Sequence, residues 1–300
     1  MTRLPSAGRA LPRIATAALA AALVATAAGA AVAADGPGAS ASSARQRMAQ
    51  VSPGDASHFP VEAIDGAGQD FTYMWGVNGK LESRQEGLGD LKQLRAATQI
   101  DTDSDHVYDS DAYFLTTDHK VILSKPLDSV HRQVASGWGE YDTFFSPGDL
   151  GGAKQPDLLV RDRQGVLWMY LAKADGSLTG KKKVGPGWGQ YTQITGKGDL
   201  TGDGRTDIVA RDKDGVLWLY KGTGDWAKPF QGRTKIGGGW NQFNLLLGAG
   251  DTDLDGRSDL LARDKSGALW RYKGTGRATA PFAAKEKIGN SGWNQYRIVY

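Results

Sequence analysis

The chain has 300 residues, with 41 Gly, 9 Trp, a hydrophobic content of 40% and a formal net charge of +3. That length holds one large domain or two small ones with a sizeable core. The absence of Cys excludes disulfides, a cysteine nucleophile and lipid attachment to a thiol. The turn- and Trp-rich mix, with no long helical period after residue 35, points to an all-β chain.

The first segment is a different material. Arg3, Arg9 and Arg13 precede an apolar run from Ile14 to Ala33, which ends in the small residues Ala31-Val32-Ala33. This is the pattern of a secretory signal peptide over 1–34, cleaved near Ala33-Ala34, and it predicts a secreted, extracellular protein. The run is long enough to span a bilayer, so an uncleaved anchor is the alternative. Its Ala- and Arg-rich make-up suggests a bacterial source. The segment takes three of the 36 Lys+Arg and none of the 33 Asp+Glu, so the remainder is formally neutral. That balance argues against a nucleic-acid partner, and no membrane span is expected after signal removal. Residues 35–59, rich in Gly, Ser, Ala and Pro, are expected to form a flexible linker.

From residue 60 the chain repeats. Gly-Trp recurs at Trp138, Trp188, Trp240 and Trp293, spaced 50, 52 and 53 residues apart, each with an aromatic three residues on. Asp149, Asp199 and Asp251 each fall 11 residues after a Trp, and "GDLTGDGRTDIVARDKDGVLWLYKGTG" runs parallel to "GDTDLDGRSDLLARDKSGALWRYKGTG". A more diverged copy begins at Asp101. In the last full unit, Phe243 to Leu247 reads as a strand leading into an acidic loop. Asp259 to Arg263 and Ala268 to Lys273 are strands around a turn at Asp264 to Gly267. Four short strands in about 50 residues describe a propeller blade. The chain stops at Tyr300, just after a leading strand, while Phe71 to Arg84 reads as an inner hairpin lacking one, with its turn at Val77-Asn78-Gly79. The two ends are therefore predicted to share a blade. The expectation is a five-bladed β-propeller over 60–300, each blade of four antiparallel strands, closed by exchange of the N- and C-terminal strands.

The acidic loops carry the clearest chemistry. Asp251, Asp253, Asp255 and Asp259 stand at positions 1, 3, 5 and 9 of one loop, with Gly256 for a sharp turn and the carbonyl of Arg257 as a further oxygen. So many like charges need a counter-ion, and an all-oxygen set suits Ca²⁺. Asp199, Thr201, Asp203, the Arg205 carbonyl and Asp207 form a second set. Asp101, Asp103, Asp105 and Asp109 form a third, with His106 in place of the Gly. Two to three structural Ca²⁺ sites are expected. Gly151 and Ala153 remove the middle ligands between Asp149 and Asp157, and Asp65-Gly66 with Asp70 reads as a remnant.

The loop followed by "SDLLARDKSGALWRYKG" resembles the FG-GAP/VCBS repeats of secreted, integrin-type propellers, which implies calcium loops. "KIGGGWNQFNLLL" is similar to the tachylectin type of five-bladed lectin propeller. The blades are shorter than those of integrins, and tachylectins lack the calcium loops.

Trp168, Trp218 and Trp270, at a fixed place in a strand, are expected to pack between blades. Trp138, Trp188, Trp240 and Trp293 are either core wedges or platforms for a sugar ring, with Asn241 and Asn294 as amide donors. Trp226, in a variable loop, is a further candidate contact. Enzyme signals are thin: His58, His106, His119 and His131 have no zinc-binding spacing, and neither a Gly-x-Ser-x-Gly elbow nor a phosphate loop occurs. The expected function is non-catalytic, lectin-like binding of glycans or cell-surface and cell-wall polymers by a monomer. An extracellular protein partner, bound as integrin heads bind theirs, is the alternative, and a hydrolase accessory module a third reading.

Overall fold

The computed structural model describes residues 57–76, 78–87, 89–102 and 110–300. The signal segment, linker residues 35–56, Val77, and Asp103, Asp105, His106 and Asp109 lie outside them. The first strands are β1 (Val61–Asp65), β2 (Asp70–Tyr73) and β3 (Gln85–Glu86). Blade 1 follows as β4 (Leu94–Gln99), β5 (Ala112–Thr116), β6 (Val121–Lys125) and β7 (Val130–Ala135). Blade 2 is β8 (Tyr141–Gly148), β9 (Asp157–Asp162), β10 (Leu167–Tyr170) and β11 (Lys182–Gly185). Blade 3 is β12 (Tyr191–Thr195), β13 (Ile208–Asp212), β14 (Leu217–Tyr220) and β15 (Thr234–Gly237). Blade 4 is β16 (Phe243–Gly250), β17 (Asp259–Asp264), β18 (Leu269–Tyr272) and β19 (Glu286–Gly289), and the chain ends in β20 (Tyr296–Val299).

Each blade is a four-stranded antiparallel sheet, and the closing blade has the order β20-β1-β2-β3. The predicted five-bladed ring and its strand exchange are both present. The inner hairpin of the closing blade is β1–β2, however, one strand earlier than the sequence reading placed it. Its turn is Asp65-Gly66-Ala67-Gly68, where Asp65 Oδ1 accepts the N–H groups of Ala67 and Gln69. Asp264 does the same for Ser266 and Ala268 in blade 4. Asp65 is therefore a turn-forming side chain, not the remnant of a metal loop. The linker boundary also moves: Ser57 to Phe59 dock on the ring, with His58 bridging Gly250.

The core lies between blades. One cluster joins Leu159 and Met169 of blade 2 to Ile194, Ile208 and Phe230 of blade 3, and four more repeat that arrangement around the ring. Each Gly-Trp pair opens a single 3-10 turn whose Trp N–H donates to the hairpin turn of the preceding blade. Trp188 bonds Gly165, Trp240 bonds Gly215 and Trp293 bonds Gly267.

Arginine stitches the same junctions. The Arg161 guanidinium donates to the carbonyls of Trp188 and Tyr191, Arg211 to Trp240 and Phe243, and Arg263 to Trp293 and Tyr296. Arg297 reaches Leu91 and Leu94, and Arg95 reaches Tyr141. All five blade junctions thus carry one arginine. Hydrogen bonds from a charged donor contribute roughly 1.5–3 kcal/mol each.

Candidate metal loop and inter-blade crevice

The loop of each repeat joins the innermost strand of a blade to the next strand, so the loops ring one end of the central channel. Position 1 organises each loop by accepting its amides. Asp149 accepts from Gly152, Ala153 and Lys154; Asp199 from Thr201, Gly202 and Gly204; Asp251 from Asp253, Asp255 and Gly256. Position 9 staples the loop to its blade. Asp157 Oδ2 accepts from Leu150 and Gly151. Asp207 accepts from Leu200 and Gly222, and Asp259 from Thr252 and Gly274. Burial drives these carboxyls up, Asp157 to about 7 and Asp207 and Asp259 to about 6.

The middle positions separate the blades. In blade 4, Asp251, Asp253 and Asp259 each bring an oxygen within 4.8 Å of the others. Asp253 Oδ1 is buried without a hydrogen-bond partner, and Asp253 Oδ2 meets Lys273 Nζ at 2.6 Å. Asp255 turns outward toward Arg257, at 3.5 Å. In blade 3, Asp203 pairs with Lys221 at 3.2 Å, and the Thr201 hydroxyl donates to Asp199 at 3.4 Å. Among the described residues only the blade 4 acids converge. Three converging carboxylates with one orphaned buried oxygen fit a hard divalent cation. In the third predicted set, only Asp101 falls within the described residues; its Oδ2 accepts from the Ser57 hydroxyl at 3.0 Å.

Sequence reading missed Arg271. It is 1% exposed and donates to Gly79, Thr252 and Glu286 beside Asp253. The available signal was its break with the repeat, since blades 2 and 3 carry Met169 and Leu219 at that place.

The four Gly-Trp indoles are wedges in the core. They are 5–7% exposed and lie against Tyr170, Tyr220, Tyr272 and Tyr73, with ring centroids 4.5–4.7 Å apart. With their faces covered, Trp138, Trp240 and Trp293 offer no open platform for a sugar ring. Asn241 and Asn294 are also committed, donating to the Lys213 and Lys265 carbonyls of the preceding turn. Trp188 differs in lining a crevice of about 340 Å³ between blades 2 and 3. Tyr191, Tyr220 and Phe230 supply its aromatic wall, and Gln190, Lys228 and Gln231 its polar groups. Trp226, next to this crevice in sequence, is 51% exposed, with Lys182 Nζ 3.7 Å from its ring centre. Trp168, Trp218 and Trp270 border the inter-blade clusters, as expected.

Among curated proteins none matches the chain. Similar solved structures include human WBSCR16 (11% identity, TM-score 0.35, covering 77% of this chain and 66% of that one). The BP39L lectin from Burkholderia pseudomallei is similar at 14% identity and TM-score 0.48, covering 77% and 69%. A protein of unknown function from Bacteroides caccae is similar at 7% identity and TM-score 0.39, covering 77% and 73%. The chain thus spans just under two thirds of the WBSCR16 structure and somewhat more of the other two. Residues 199–262 match the FG-GAP-like repeat family, a stretch that runs from the blade 3 loop through the blade 4 loop of this five-bladed propeller.

Proposed function

We propose that this protein is a secreted, non-catalytic propeller that binds glycans of a cell surface or cell wall and is stabilised by calcium. The observation that carries the glycan reading is the crevice between blades 2 and 3. Its size suits one or two sugar rings, and it combines aromatic edges with the Gln231 amide and the Lys228 ammonium, the Gln190 amide being held by Gly187 and Arg233. In the calcium reading, Asp251, Asp253 and Asp259 hold the ion, which adds positive charge to two buried carboxylates and a half-buried one that only Lys273 and Arg271 otherwise offset. Asp199 and Asp207 flank a weaker position in blade 3. The signal-like leader supports secretion. Among the described residues no helix is long and apolar enough to cross a membrane.

Binding of the purified protein to an array of glycans and cell-wall polymers, in calcium and in chelator, tests this. Retention of a defined sugar, weakened about tenfold or more by Lys228→Ala with Gln231→Ala, is the expected result. A blank array from folded protein would reject the glycan reading. The exposed Trp226 would then direct attention to an extracellular protein partner.

A further inference from the structure

We propose that the outer faces of blades 2, 3 and 4 bind an acidic polysaccharide, a class narrower than the glycan reading on which this rests. Each of these blades repeats one constellation. An indole is fixed by its N–H donating to an aspartate at 2.8 Å: Trp168 to Asp162, Trp218 to Asp212, Trp270 to Asp264. A cation stands over each ring, at 4.6 Å for Lys181, 4.1 Å for Arg233 and 4.5 Å for Lys285. Directly across the strand pair, and so on the same face, sit Lys183, Lys235 and Lys287. Among the described residues no carboxylate pairs with these three lysines, which are exposed. The one acid in the three outer strands, Glu286, is held by Arg271 at 3.0 Å. A half-buried indole carrying one cation, with a second, uncompensated ammonium across the strand pair, matches a sugar ring bearing a negative group.

Lysines on exposed edge strands also discourage sheet-to-sheet association. That role accounts for the lysines but not for their register with a fixed indole. Nor does it account for their confinement to three consecutive blades. Blade 1 places Gln133 opposite Ile122, and the closing blade places Glu86 opposite Phe71, although both have outer strands to protect.

The test is binding of the full protein to polygalacturonate, a phosphodiester-bearing mannan, a neutral galactan and poly-dT. The comparison is with Lys183→Gln/Lys235→Gln/Lys287→Gln, whose melting temperature checks the fold. The expected result is retention of an acidic polymer, weakened about tenfold or more by the three changes and by added salt. Preference between the two polymers then tells carboxylate from phosphodiester as the charged group. Acidic polymers bound equally by both proteins, or poly-dT bound as well as either, would overturn the proposal. Binding of the neutral galactan alone would overturn it while leaving the glycan reading standing; failure of every polymer here and of the full array would remove both.

Discussion

Blades 2 and 4 carry the same nine-residue loop with different middles. Asp149 and Asp157 do in blade 2 what Asp251 and Asp259 do in blade 4: the first gathers the loop amides and the second ties the loop to its blade. Where blade 2 has Gly151 and Ala153, blade 4 has Asp253 and Asp255. Positions 1 and 9 are therefore sufficient to shape the loop through hydrogen bonds within the chain. Position 3 turns that shape into a candidate cation site, because Asp253 adds a third converging carboxylate and an oxygen with no partner. The acids at positions 1 and 9 of blades 2, 3 and 4 are thus structural first, and since Asp157 Oδ1 is buried without a partner just as Asp253 Oδ1 is, blade 4 is set apart by the convergence of three carboxylates.

The comparison presupposes a closed ring, and opening the ring is the severest way to break it. Deleting Arg297–Tyr300 removes the partner of β1, the Arg297 contacts to Leu91 and Leu94, and the Tyr300 backbone pair with Glu62. Loss of the cooperative melt by circular dichroism is the expected outcome; an unchanged melt would refute strand exchange.

The next effects separate the two loops. Saturating calcium should stabilise the wild type by about 2–3 kcal/mol per site at a hundredfold excess over Kd. Asp253→Ala should remove the blade 4 share of that gain. Asp157→Ala should cost about 1–3 kcal/mol through the two stranded amides, equally in calcium and in chelator. A calcium-dependent cost at Asp157 would erase the distinction between the blades.

Acidity sharpens the same contrast. Burial holds the folded Asp157 at about 7, above its ordinary range. Protonation therefore favours the folded state, so its contribution is fully present below about pH 4 and lost as pH rises toward 7. In chelator, denaturant melts should show falling stability across that window, with a shallower fall in Asp157→Asn.

The smallest expected effect lies at position 4. Leu254 holds φ +61° and is 46% exposed, where blades 2 and 3 have Gly152 and Gly202. Leu254→Gly should gain up to about 1 kcal/mol in chemical denaturation; a loss would mean that Leu254 makes a contact worth more than its backbone strain.

The repeat made the blades legible from the sequence, because "RDKSGALW" encodes both the turn and the strand that follows it. The Asp264 carboxylate fixes the four-residue turn and then holds the Trp270 indole. The closing blade was misread by one strand because "IDGAGQDF" has an acidic spacing like that of a loop, while its carboxylate accepts turn amides. The Gly-Trp pairs left wedge and platform open, since a sequence does not say which face of an indole is covered. Tyr170, Tyr220 and Tyr272, each 32 residues from its Trp, and Tyr73, 220 residues from Trp293, decide that only in three dimensions. The five arginine stitches were invisible for the same reason: their partners are carbonyls of the neighbouring blade, which every residue possesses.

Isothermal titration of calcium into the wild type and Asp253→Ala tests the central claim most directly, because it counts ions. The wild type should bind one more calcium per chain than the variant. Equal stoichiometries, or no heat from either protein, would show that the blade 4 carboxylates are held by Lys273, Arg271 and backbone amides alone.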